Sequence, residues 1–251
     1  MKGFNIPPLF VGLATVALFL GVVEVLLLIG LLNQFVIPQP SAVFASFRRL
    51  FEEEHLFDRL MLTGAEALAA SFLVSICGIA IGVALYKFRI LRLAVEPWVA
   101  AVAAAPIVLA YPLFLVVFGR SAATIVAMGF AAGLGPVILK TLEGLNGVKK
   151  SLINVGLSYN LTEAQLFWKI LLPAAVPTIF VGVRLGLIFA LINLIGVEFL
   201  INFGGLGQLI NDLAERYDLP GMFATIIFVV LVSVVIFVVL ERMERWFRPA
   251  H

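Results

Sequence analysis

The chain has 251 residues, 63% hydrophobic and 13% charged, with a mean hydropathy of +1.14 and a formal net charge of +2. Soluble domains are nearer half apolar and a quarter charged, so this composition excludes an ordinary soluble domain and indicates a multi-spanning membrane protein. The single cysteine, Cys77, excludes a disulfide framework and a thiolate metal cluster.

Six apolar runs of membrane length follow one another, near 9–32, 64–86, 97–118, 122–142, 174–201 and 222–241. They predict an all-α, polytopic fold of about six transmembrane helices, organised as one transmembrane domain over 1–251. The first run is too long for a signal-peptide core and is followed by "NQFVIPQP", not by a small-x-small cleavage site. Next, "SAVFASFRRLFEEEHLF" reads as an amphipathic helix lying at the membrane surface. The third run carries Pro106 and Pro112, expected to produce a simple kink. Its small residues "AAVAAAP" (100–106) allow close helix approach, within the chain or to a second one. Only "FGRS" separates the third run from the fourth, which predicts a tight hairpin.

Six spans put both termini on one side. With the termini inside, eleven Lys and Arg fall in cytoplasmic segments, Lys2 and Arg248 among them. Five fall outside: Arg48, Arg49, Arg59, Arg120 and Arg216. The positive-inside rule then places the termini in the cytoplasm.

Between the fourth and fifth runs lies a different kind of sequence, "SLINVGLSYNLTEAQLFWKILLP" (151–173). Residues 151–159 predict a short helix, and Asn160 stands where a left-handed turn residue is needed. Thr162 and Gln165 have the spacing of a capping box, with Leu161 and Leu166 placed as a hydrophobic staple. Glu163 puts a negative charge in the first turn, where the helix dipole favours it. Pro173 predicts a break at Leu172. Helix, sharp turn, helix, break is the pattern of a rigid docking corner facing the cytosol, against the plainer reading of an interfacial loop. No phosphate-binding loop is present: "GGLGQL" (204–209) lacks the lysine and follows a membrane run.

Three ionisable residues stand out at membrane depth: Glu24, Arg184 and Glu198. Arg184 and Glu198 are fourteen residues apart, about 21 Å along one helix face, so they cannot pair with each other. They are candidates for lining a translocation path. The alternatives are an ion pair with another helix for Arg184 and a cap on the outer end of the span for Glu198. Glu24 reads as a helix-pairing residue.

The 151–173 segment resembles the cytoplasmic loop of inner-membrane permease subunits of binding-protein-dependent ABC importers. That loop has the pattern E-A-A, three residues, G, nine residues, I-x-L-P. "KILLP" supplies Ile170, Leu172 and Pro173; Asn154, Val155 and Gly156 stand at E-A-A, and Asn160 at the glycine. The similarity extends to "VIPQPSAVFASF" (36–47), "EPWVAAVAAAPIVLAYPLFLVVFG" (96–119), "PAAVPTIFVGVRLGLIFALINLIGVEFL" (173–200), "GGLGQLIND" (204–212) and "LERMERW" (240–246). It is nearest to permeases of nitrate, sulfonate, taurine and bicarbonate importers.

The resemblance implies a type I ABC importer permease fold in a bacterial-type inner membrane, with a coupling segment at about 143–172. Its ATPase contacts would be Asn154, Gly156, Tyr159, Asn160, Leu161, Thr162 and Glu163. It implies two cytoplasmic ATPase subunits that bind ATP and Mg, an extracytoplasmic substrate-binding protein, and a second permease chain, identical or similar. It implies no cofactor, metal, catalytic residue or nucleic-acid partner for this chain. A gradient-driven secondary transporter or channel is the alternative; it would show two similar halves and paired broken helices. An intramembrane enzyme would need a nucleophile with a base, or metal ligands, inside the spans; they carry no histidine and no clustered acids.

Overall fold

The computed structural model of the protein describes residues 8–247, which leaves Lys2, Arg248 and His251 outside the described residues. All regular elements among the described residues are helical. In chain order they are α1 (Pro8–Leu28), α2 (Pro40–Glu52), α3 (Leu56–Lys87), α4 (Arg89–Ala104), a 3-10 turn (Ile107–Ala110), α5 (Tyr111–Phe118), α6 (Ala122–Asn146), α7 (Lys150–Ser158), α8 (Glu163–Leu166), α9 (Leu172–Ile201), α10 (Gly205–Glu215) and α11 (Leu219–Phe247). Five helices are long and apolar enough to cross a membrane, or six if the bent pair α4–α5 counts as one span.

The core is α3, α6 and α9. Lipid is as apolar as leucine, so helices here associate through close backbone approach rather than a hydrophobic drive. Gly133 of α6 and Gly186 of α9 supply that approach: a Cβ on Gly133 would lie 2.5 Å from the Gly186 carbonyl oxygen, and one on Gly186 2.7 Å from that of Gly133. Ile125, Met128, Leu194, Val197 and Ile201 fill the space beside this crossing. Of the small residues of 100–106, Ala103 packs within the chain, where a Cβ on Gly135 would lie 2.6 Å from its own, and the others are exposed.

α1 stands apart from the core, with 6% of its apolar window buried against 50% for α6. Glu24 fastens it to α2. The first turn of α2 has no side-chain cap of its own. Glu24 accepts from the Ser41 backbone N–H at 3.1 Å and from Ser41 Oγ at 2.7 Å. That is the helix-pairing role expected of Glu24.

Three local expectations need correction. The third run does not merely kink. Ala105, preceding proline, is extended (φ −77°, ψ 143°), Pro106 offers no N–H, and α4 and α5 are bent by 92° at this point. Pro112 sits in the first turn of α5, where proline fits. Pro173, by contrast, breaks nothing. Leu172 is helical (φ −63°, ψ −50°), and the helix runs on from Glu163 to Ile201. A wide π turn over Phe167–Leu171, with the Leu172 N–H bonded to the Phe167 carbonyl, places an extra residue just ahead of the proline ring. Finally, the amphipathic surface helix stops at Glu52, and His55 in the left-handed region (φ 51°) starts α3 eight residues before the predicted span.

Candidate functional site

The corner between α7 and α8 is built almost entirely from local chemistry. Asn160 adopts φ 54°. The Leu161 N–H bonds back to the Gly156 carbonyl at 3.2 Å and the Asn160 N–H to the Leu157 carbonyl at 2.9 Å. These are the two bonds of a Schellman motif with Asn160 as its left-handed residue. Two residues later the capping box is complete: the Gln165 N–H donates to Thr162 Oγ1 at 3.3 Å, and the Thr162 N–H donates to Gln165 Oε1 at 3.0 Å. Gly156 is buried where the two short helices meet. A Cβ there would lie 2.6 Å from the Leu166 and Ile170 Cδ1 atoms and 3.5 Å from that of Leu161. Leu161 and Leu166 thus close over the same point, as the staple requires.

The outer surface of this corner is apolar. Tyr159 is 77% exposed, and Leu152, Val155, Leu157 and Trp168 are also exposed. Asn154 and Glu163 are exposed beside them. Of the residues predicted for coupling, Asn154, Tyr159, Asn160, Thr162 and Glu163 therefore lie on one exposed corner, while Gly156 and, in part, Leu161 hold it together.

The two predicted path residues are not brought together, and each is engaged by another helix. Arg184 pairs with Glu244 of α11 at 2.9 Å, and its guanidinium carbon lies 5.5 Å from the Phe237 ring centroid. Glu198 is fully buried. It accepts from Thr63 Oγ1 of α3 at 2.7 Å and from the Gly207 N–H of α10 at 2.8 Å. Neither lines the apolar groove of about 650 Å³ between α3, α9 and α11.

The "GGLG" stretch is shaped around Glu198. Gly204 and Gly205 have φ of 141° and 77°, and a Cβ on Gly205 would overlap the Glu198 carboxyl group. The Leu206 N–H bonds to Thr63 Oγ1 at 2.8 Å, so one hydroxyl ties α3 to both α9 and α10. Thr63 and Glu66 were not among the expected site residues. Glu66, inside the predicted span 64–86, carried the same signal as Glu198, an acid in an apolar run.

The same end of the molecule carries ion pairs between elements. Arg49 of α2 binds Asp218, which also accepts from the Gly221 N–H at the start of α11. Arg59 of α3 meets Asp212 of α10 at 3.3 Å. Arg216 makes two 2.9 Å bonds to Glu54, which raises its guanidinium further above its ordinary value.

Residues 75–249 match the family described as the binding-protein-dependent transport system inner membrane component. The chain belongs to that family. A putative aliphatic sulfonates transport permease of Bacillus subtilis is 26% identical over 82% of this chain and 74% of its own. The taurine transport system permease of Escherichia coli is 23% identical over 96% of this chain and 90% of its own. Among solved structures, an inward-facing form of the MetNI methionine ABC transporter superposes with a TM-score of 0.67 at 20% identity, covering 77% of this chain and 96% of that one. The fold is therefore that of a type I importer permease, and this permease is a multi-pass protein of the inner membrane in an importer that uses a binding protein. Family membership favours this over a self-sufficient secondary transporter. Among the described residues there is one broken span, not the pair such a transporter would show.

Proposed function

We propose that residues 150–163 are the surface on which a separate cytoplasmic ATPase docks, and that this permease converts ATP-driven motion of that partner into alternating access. The observation that carries the reading is the corner itself. Four apolar side chains, Leu152, Val155, Leu157 and Tyr159, are exposed on a segment rigidified by a Schellman motif and a capping box. Rigid capping is what transmits force, and an exposed apolar patch marks an interface. Asn160, in place of glycine, keeps the left-handed turn; Asn154, in place of glutamate, keeps a polar exposed group without the charge.

In this account both termini are cytoplasmic and the end bearing α2, α10 and the start of α11 faces the binding protein. Two permease copies form the path, and two ATPases, which bind ATP and Mg, sit beneath them. The permease itself catalyses nothing and holds no cofactor. The cargo is a small solute, a sulfonate-, taurine- or nitrate-like anion or a small organic molecule, chosen largely by the binding protein. The sulfonate and taurine relatives support the anionic reading.

The test is co-purification in detergent with the cognate ATPase co-expressed. The ATPase should travel with the wild type on gel filtration and be lost from a variant carrying Tyr159→Asp, Asn160→Asp and Leu161→Asp. An ATPase that ignores the change contradicts the docking assignment.

A further inference from the structure

The turn between α10 and α11 holds a strained aromatic residue that the chain itself does not use. Tyr217 adopts φ 57° and is 88% exposed. A left-handed backbone crowds Cβ against the following carbonyl, so the position favours glycine or asparagine, and a tyrosine there costs stability. The turn is a Schellman motif: the Asp218 N–H bonds to the Leu213 carbonyl at 2.9 Å and the Tyr217 N–H to the Ala214 carbonyl at 3.0 Å. Among the described residues the Tyr217 side chain makes no hydrogen bond and no ring contact. Nothing within the chain offsets the strain.

The residues on either side of Tyr217 are locked. Arg216 is held by both oxygens of Glu54, and Asp218 is held by Arg49 and by the Gly221 N–H. Glu54 in turn precedes His55, itself left-handed at φ 51° with a side chain 74% exposed. One bidentate pair therefore clasps two turns that are far apart in sequence, and each turn presents an exposed ring beside the clasp. Beneath them Leu50, Leu56 and Leu213 are fully buried in one cluster, so the base of both turns is fixed. The exposed charge nearby is mostly negative. Arg48 pairs with Glu52 and Arg216 with Glu54, while Glu53, Asp58 and Glu215 are exposed with no Lys or Arg partner among the described residues. Such a surface is repelled by anionic lipid headgroups and attracts a protein face rich in Lys and Arg.

We infer, on the orientation proposed above, that Tyr217 and His55 anchor the docking face for the extracytoplasmic binding protein, which meets them with a ring-sized pocket rimmed by basic residues. Aromatic side chains that are already ordered lose little entropy on binding and carry a large share of an interface's affinity. The strain at Tyr217 keeps the ring projected in the free permease, ready for capture. The carboxylates around it draw the basic face of the partner in and set its approach.

The test is binding of the cognate binding protein to the full importer in lipid nanodiscs, with thermal melts of the same samples. Tyr217→Gly and Tyr217→Asn keep the left-handed turn and remove the ring. Each should weaken binding about thirtyfold while melting no lower than the wild type. His55→Asn should weaken it by less. Glu53→Gln, Asp58→Asn and Glu215→Gln together should slow association and flatten its salt dependence. Tyr217→Cys in a Cys77→Ala background, treated with a thiol reagent in intact cells, reports the side of the membrane. Labelling from outside with binding unchanged in Tyr217→Gly and Tyr217→Asn overturns the inference alone, and leaves the rings to the membrane interface. Labelling only from the cytoplasmic side overturns the orientation, and the inference with it. Binding lost in step with a fall in melting temperature also overturns it, because Tyr217 would then be holding the turn rather than meeting a partner. Association that quickens when the three carboxylates are neutralised overturns the basic character assigned to the partner.

Discussion

The two ends of this permease are built on opposite plans. At the end holding α10, polar chemistry is buried and shared among helices distant in sequence: Thr63, Glu198 and Gly207 form one hydrogen-bonded knot. At the other end, the α7–α8 corner satisfies its backbone within about a dozen residues and leaves Tyr159 and its apolar neighbours exposed. A junction whose partners all lie within the chain explains itself as structure. In the proposed reading, a corner that is rigid, exposed and apolar is completed by another protein. The difference separates residues whose loss should unfold the permease from residues whose loss should only uncouple it.

The sharpest way to break the contrast is Gly205→Ala. The added Cβ overlaps the Glu198 carboxyl group and must accept φ 77°. A loss of about 3 kcal/mol is expected, read as a large fall in the detergent melting temperature or failure to fold. A mild Gly205→Ala phenotype would mean the knot is looser than its geometry.

Glu244→Ala should come next, at about 2 kcal/mol, because it strands the mostly buried Arg184. The double change Arg184→Met with Glu244→Ala should recover most of that loss. Additive losses instead would show that the two groups do not act as a pair. Arg49→Ala cuts the tie between α2 and the start of α11, which is partly exposed. About 1 kcal/mol is expected, shrinking in high salt. Thr162→Ala should have the least effect on the bundle. It removes about 1 kcal/mol from the start of α8 alone, so the melt barely moves while transport-coupled ATP hydrolysis drops. A large melting shift with coupling intact would reverse the assignment.

What the sequence disclosed follows the same division. The corner was legible down to single hydrogen bonds, because a Schellman turn and a capping box are set by residues a few positions apart, Asn160, Thr162 and Gln165. The spans were legible from length and hydropathy. The 92° bend at Pro106 and the uninterrupted helix through Pro173 were not, because the same residue type ends one helix and is absorbed in another by a π turn. Nor were the knot and the Arg184–Glu244 pair. Their partners lie 135 and 60 positions apart, and only the helix packing set by contacts such as Gly133 on Gly186 brings them together. Arg184 and Glu198 were rightly singled out as charges that need partners, but periodicity alone could not name them.

The most direct test uses two exposed tyrosines, Tyr159 at the corner and Tyr217, 88% exposed, at the opposite end. In a Cys77→Ala background, each is changed to cysteine and treated with a short thiol crosslinker in membranes containing the full importer. The account predicts that Cys at 159 is captured by the ATPase, is shielded from reagents added outside the cell, and loses capture when ATPase is omitted, whereas Cys at 217 is labelled from outside and never reaches the ATPase. Crosslinking of the ATPase through position 217, or external labelling of position 159, would contradict it.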